Sequence, residues 1–98
     1  MILGIQLNPL TKAGLTVIAK VKNQDGSQIG ADVALTETSA AYYFSAYDES
    51  TFADGTFGVS FIDTFDGSLV GTGQFNVKDG VENTLDKVSR NVWSEVLP

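Results

Sequence analysis

Between residues 15 and 77, apolar side chains recur at every second position in short runs, most of them cut short by glycine, aspartate or asparagine. A period of two suits a strand that buries one face, whereas a helix needs a period of 3.6, so this stretch is restricted to short strands joined by tight turns. Leu15, Val17, Ala19 and Val21 alternate with Thr16, Ile18, Lys20 and Lys22, and Asn23 to Ser27 supplies the turn around Asp25-Gly26. Ile29, Ala31, Val33 and Leu35 predict the returning strand, and Thr36 to Ser39 a polar connection. Ala40 to Tyr47 is the third run, with Tyr43 and Tyr47 on one face and Tyr42 and Phe44 on the other. Both faces are aromatic, so one of them must meet something other than water, a second sheet or a partner, and core or inter-sheet packing is the simpler reading of Tyr42 and Phe44. A polar loop, Asp48 to Gly55, leads to Phe57, Val59 and Phe61. After Asp66-Gly67, one face carries Leu69, Gly71, Gly73, Phe75 and Val77, and the other Val70, Thr72, Gln74 and Asn76. The glycines there mark a bulge or a close backbone approach. Asp79-Gly80 turns the chain into a last short strand, Val81 to Leu85, and all four Asp-Gly pairs read as hairpin turns.

From Asp86 the period changes. Leu85, Val88, Val92 and Val96 recur at helical spacing, Asp86 and Arg90 form an i,i+4 pair, and Asn83 is placed to cap. This predicts a helix over 86–96, of about three turns, too short to stand alone and therefore docked on its own sandwich or on a neighbour. Trp93 beside the stripe is its natural anchor. The predicted fold is all-β: an antiparallel β-sandwich of about seven strands, immunoglobulin-like or transthyretin-like, over residues 1–85, with a helical C-terminal tail over 86–98.

Composition narrows the chemistry. The chain has 98 residues, room for one domain, and 43% hydrophobic with 18% charged residues keeps it out of the disordered class. No cysteine and no histidine are present, which removes disulfides, thiolate chemistry, the usual zinc sites and any imidazole base. A net charge of −6 repels phosphate backbones and anionic headgroups, so neither nucleic acid nor a membrane surface is an expected partner. Asp48, Glu49, Asp54, Asp63 and Asp66 offer hard oxygens for calcium, but no segment has EF-hand spacing, and solvated turns explain them more simply. Paired carboxylates for glycoside hydrolysis would need a sugar cleft that no spacing indicates. Neither catalysis nor a cofactor is expected, and Lys20 and Lys22 read as a solvated face. Met1 to Pro9 has no leading basic residue and is too short for a signal peptide's apolar region plus cleavage site, so the expectation is synthesis in a cytoplasm without export.

The run Gly14-Leu15-Thr16-Val17-Ile18-Ala19-Lys20-Val21, followed by Asp25-Gly26-Ser27-Gln28-Ile29-Gly30-Ala31-Asp32-Val33-Ala34-Leu35-Thr36-Glu37, resembles the opening of small β-sandwich structural proteins of tailed bacteriophages. Gly55-Thr56-Phe57-Gly58-Val59-Ser60-Phe61 and Leu69-Val70-Gly71-Thr72-Gly73 fit the same pattern, in which an Asp-Gly turn leads to a Leu-x-Gly-x-Gly strand. Val88-Ser89-Arg90-Asn91-Val92-Trp93-Ser94-Glu95-Val96-Leu97 is similar to a Val-Trp-x-Glu-x-Leu segment of phage tail and neck proteins. The resemblance spans most of residues 14–97 and implies a virion component: a tail-fibre, baseplate, neck or capsid-decorating subunit, assembled in a host cytoplasm. It brings no catalytic residues.

Docking on other virion proteins would then use the aromatic strand and the tail, with Tyr42, Phe44, Val88, Val92, Trp93 and Val96 as partner-binding residues. The alternative from a different class is a carbohydrate-binding module that recognises host surface glycan through Tyr42, Tyr47 or loop 48–55.

Overall fold

The computed structural model describes residues 1–82, which form eight strands in two antiparallel sheets with no helix among them. The smaller sheet has the order β1-β5-β4, from β1 (Ile2–Gln6), β5 (Tyr42–Ala46) and β4 (Thr36–Ser39). The larger has the order β3-β2-β6-β7-β8, from β3 (Val33–Ala34), β2 (Val17–Lys22), β6 (Gly55–Asp63), β7 (Ser68–Lys78) and β8 (Val81–Glu82). Alternate residues of the strands supply one core. Leu3, Ile5 and Tyr43 come from the smaller sheet; Val17, Ala19, Val21, Phe57, Val59, Phe61, Phe75 and Val77 from the larger; all are buried. The two-layer, all-β architecture expected from the period-two pattern is therefore present. The predicted helix and Val88, Val92, Trp93 and Val96 lie outside the described residues.

Two segments depart from expectation. The strand predicted over 29–35 shrinks to Val33–Ala34 plus a single bridge between Lys22 and Gln28. Gly30 takes a positive φ of 70° and Ala31 is exposed, so the chain leaves the ladder there, rejoins β2 only at Val33–Ala34, and then crosses to the other sheet. There Thr36–Ser39, expected to be a polar connection, pairs with β5 as an edge strand. Glu37 explains why so polar a stretch holds: its carboxylate accepts hydrogen bonds from the Ala41 amide (2.8 Å) and the Gly14 amide (3.1 Å). Ala41 is itself in the left-handed region, φ 62°, which costs an alanine about 1–2 kcal/mol, and the Glu37 contact fixes it there.

In β7 the sequence alternation is interrupted by a bulge. Phe61 opposes Gly71 but Ile62 opposes Leu69, so Val70 is the inserted residue. Val70 is thereby buried and Leu69 is 58% exposed, the reverse of a regular alternation.

Three of the four Asp-Gly pairs are turns: Gly26 (φ 91°), Gly67 (φ 75°) and Gly80 (φ 75°) are left-handed, whereas Gly55 has φ 153°. The fourth is not, because Gly55 opens β6 and the Asp54 carboxylate accepts the Asp79 amide at 2.8 Å. In the β7–β8 turn Asp79 (φ 56°) and Gly80 (φ 75°) are both left-handed, the geometry of a two-residue type I′ hairpin. A Cβ on Gly80 would lie 3.0 Å from the Ser50 carbonyl oxygen. Gly80→Ala is accordingly expected to lower the unfolding free energy by about 1–2 kcal/mol, combining the left-handed penalty with displacement of the 48–52 backbone. Urea unfolding of the variant measures it; a loss below about 0.5 kcal/mol would show that the Ser50 backbone yields freely.

Candidate interaction surface

Since Tyr43 is fully buried, alternation turns Tyr42 and Phe44 to the outer face of the smaller sheet. Both are half-buried, with ring centroids 6.1 Å apart and planes at 37°. Register places Gly4 and Gln6 of β1 across from Phe44 and Tyr42, and Thr36 and Ser39 of β4 on their other side. Ile2 and Ala46 complete this face, which carries no charged side chain among the described residues. Gly4, itself buried, contributes no side chain across from Phe44. A central aromatic pair in an uncharged, small-residue setting has the composition of an interface centre.

Tyr47 does not share this face. Its ring meets Phe52 edge-on at 5.9 Å, and Phe52 contacts Phe57 (4.8 Å) and Phe75 (6.2 Å), sealing one end of the core. Burial pushes the Tyr47 hydroxyl pKa up, with Asp48 adding to the shift. Phe52, read from sequence as part of a polar loop, is thus an anchor; its lone position between polar residues gave no periodic signal.

The carboxylates of the loops are committed to local structure. Asp48, Asp63 and Asp66 accept backbone amides of Ser50, Phe65 and Ser68, two residues on, as Asx turns do. Ser68 bonding is also the main reason that Asp66 is held below its ordinary pKa. Glu49 is buried: it accepts the Met1 ammonium at 3.2 Å through Oε1 and the Glu82 amide at 2.9 Å through Oε2, joining β1 to β8. Among the described residues no three histidine, cysteine, aspartate or glutamate side chains converge in a way that could hold a metal ion.

A concavity lies at the β2–β3 turn. Asn23, Gln24 and Asp25 form one wall and Ala53 to Phe57 the other, enclosing about 420 Å³ open to solvent. Leu10 and Phe65, each 92% exposed, stand singly at loop tips, as scattered apolar side chains commonly do. No helix among the described residues is long and apolar enough to cross a membrane.

Comparison of the chain with known protein families, with curated proteins and with solved structures gives no match.

Proposed function

We propose that this chain is a non-enzymatic structural component of a tailed-bacteriophage virion, of immunoglobulin-like or transthyretin-like type, that docks on neighbouring virion proteins. The observation that carries the reading is the uncharged outer face of the β1-β5-β4 sheet, with Tyr42 and Phe44 at its centre. A half-buried aromatic pair on a three-stranded scaffold loses little conformational entropy on docking, and its burial yields about 25 cal/mol per Å² of apolar surface. Repetition on a symmetric particle multiplies a weak single contact. The tail residues Val88, Val92, Trp93 and Val96 belong to the same proposal as further anchors. A non-enzymatic role is supported by the loop carboxylates, which serve turns and strand junctions.

The test is co-sedimentation of the purified protein with particles lacking it, comparing the parent with a Tyr42→Ala, Phe44→Ala double variant. The parent is expected to pellet at a stoichiometry matching particle symmetry. Loss of two interface-centre aromatics should weaken occupancy by about 30-fold or more, with circular dichroism confirming the fold. Parent protein that stays in the supernatant sinks the proposal. Saturable binding to a glycan array, abolished by Tyr42→Ala, would move the reading to the carbohydrate-binding module.

A further inference from the structure

A second, chemically distinct docking site follows from where the β2–β6 ladder stops. Its last pair is Lys22 with Gly58, because Asn23 then turns away: its amide donates to the Ser27 carbonyl (2.8 Å) and its carbonyl accepts the Gly26 amide (3.0 Å). β6 nevertheless runs on to Gly55, paired there only with β7. At the far end of the ladder the Thr64 amide donates to the Thr16 carbonyl (2.9 Å). In an antiparallel pair such bonds recur at every second residue, so Ile62, Ser60 and Gly58 turn their amides and carbonyls toward β2. Thr56 is next in that series. Its amide and carbonyl face the 420 Å³ groove, where the strand that would have received them has left.

We propose that this groove receives an extended, lysine- or arginine-bearing segment of a partner protein, which adds to β6 at Thr56 as a short continuation of β2. Backbone pairing at a vacant sheet edge supplies the attachment, and flanking side chains the selectivity. The selectivity is cationic. Asp25 and Asp54 stand on opposite walls, each using one oxygen internally, Asp25 Oδ1 for the Ser27 amide and hydroxyl and Asp54 Oδ1 for the Asp79 amide. Among the described residues neither second oxygen has a hydrogen-bond partner and no lysine or arginine lines the groove, which leaves both oxygens for an incoming cation. The site goes beyond the Tyr42–Phe44 face and lies on the other sheet, so either stands if the other fails.

The probe is a blocked pentapeptide alternating valine and lysine, titrated into the full chain labelled with ¹⁵N; the control alternates valine and glutamate. The lysine peptide is expected to shift the Thr56, Gln24 and Asp25 amides and to slow exchange of the Thr56 amide about tenfold, while the glutamate peptide does neither. Asp25→Asn with Asp54→Asn, which keep an Oδ1 acceptor for the Ser27 and Asp79 amides while removing the charge, should weaken the lysine peptide about fivefold, with circular dichroism confirming the fold. Equal binding of both peptides, or shifts that bypass Thr56, overturns the proposal. So does a Thr56 amide already protected in the free protein. A saccharide such as maltotriose that shifts these amides where the lysine peptide does not would assign the groove to sugars instead.

Discussion

Replacing Tyr43 by phenylalanine is expected to lower the unfolding free energy by about 2–3 kcal/mol, a drop in Tm of about 10–20 °C for a domain of this size. The ring itself would be retained, so the loss isolates one hydroxyl. That hydroxyl donates to the Lys12 carbonyl at 2.6 Å and accepts the Leu15 amide at 3.0 Å. It therefore fixes both ends of the 12–15 segment that delivers the chain into β2. Each backbone group left without it is partly buried and costs about 1 kcal/mol or more to leave unpaired. Burial raises the Tyr43 pKa, with the neighbouring Glu37 carboxylate opposing ionisation further, so the hydroxyl stays protonated and able to donate through neutral pH. Tyr42→Phe, one residue away on the outer face, is the control and should change stability by less than about 0.5 kcal/mol. Equal melting of the two variants would show that Tyr43 acts through its ring alone.

This contrast also shows what the sequence makes legible. Alternation at Leu15–Val21, Phe57–Phe61 and Tyr42–Phe44 identifies strands, because burial of one sheet face imposes a period of two, and it puts Tyr43 on the face opposite Tyr42 and Phe44; with both faces aromatic it does not say that Tyr43 is the buried one. It does not say which sheet a strand joins. Ile29 to Leu35 alternates as well as β2 does, yet a left-handed Gly30 and the crossing to β4 leave only two of its residues in a ladder. The deciding contacts are long-range: Leu35 donates to Val17, and Glu37 reaches Gly14, 23 residues earlier.

The surfaces divide in the same way. Tyr42 and Phe44 announce themselves by residue type, whereas the groove at Thr56 depends on where one ladder ends relative to another, and no residue type encodes that. The four Asp-Gly pairs make the point within a single motif. Asp79-Gly80 forms the tight turn its sequence favours, while Asp54-Gly55 starts a strand because the Asp54 carboxylate is held by the amide of Asp79 in the neighbouring turn.

Removal of the Glu49 side chain is expected to cost about 2–3 kcal/mol near neutral pH, somewhat less than breaking a fully buried ion pair because the carboxylate keeps 12% of its exposure. Glu49→Ala would leave the Met1 ammonium and the Glu82 amide without their acceptor, loosening the junction of β1 with β8. Burial pushes the Glu49 carboxyl up, but hydrogen bonds from its own amide, from Glu82 and from the Met1 ammonium outweigh it and hold the pKa below the ordinary 4.5. The Ala41 and Gly14 amides do the same for Glu37. A carboxyl whose pKa is depressed by folding binds its proton more readily in the unfolded chain, so its contribution is complete above pH 4.5 and is lost as pH falls through the folded value. Two results follow for urea unfolding. The parent should lose stability progressively below pH 4.5, and the gap between parent and Glu49→Ala should narrow over the same interval, since a protonated Glu49 no longer pairs with the ammonium. A gap that stays constant down to about pH 2 would mean that Glu49 stabilises the fold by packing and not by charge.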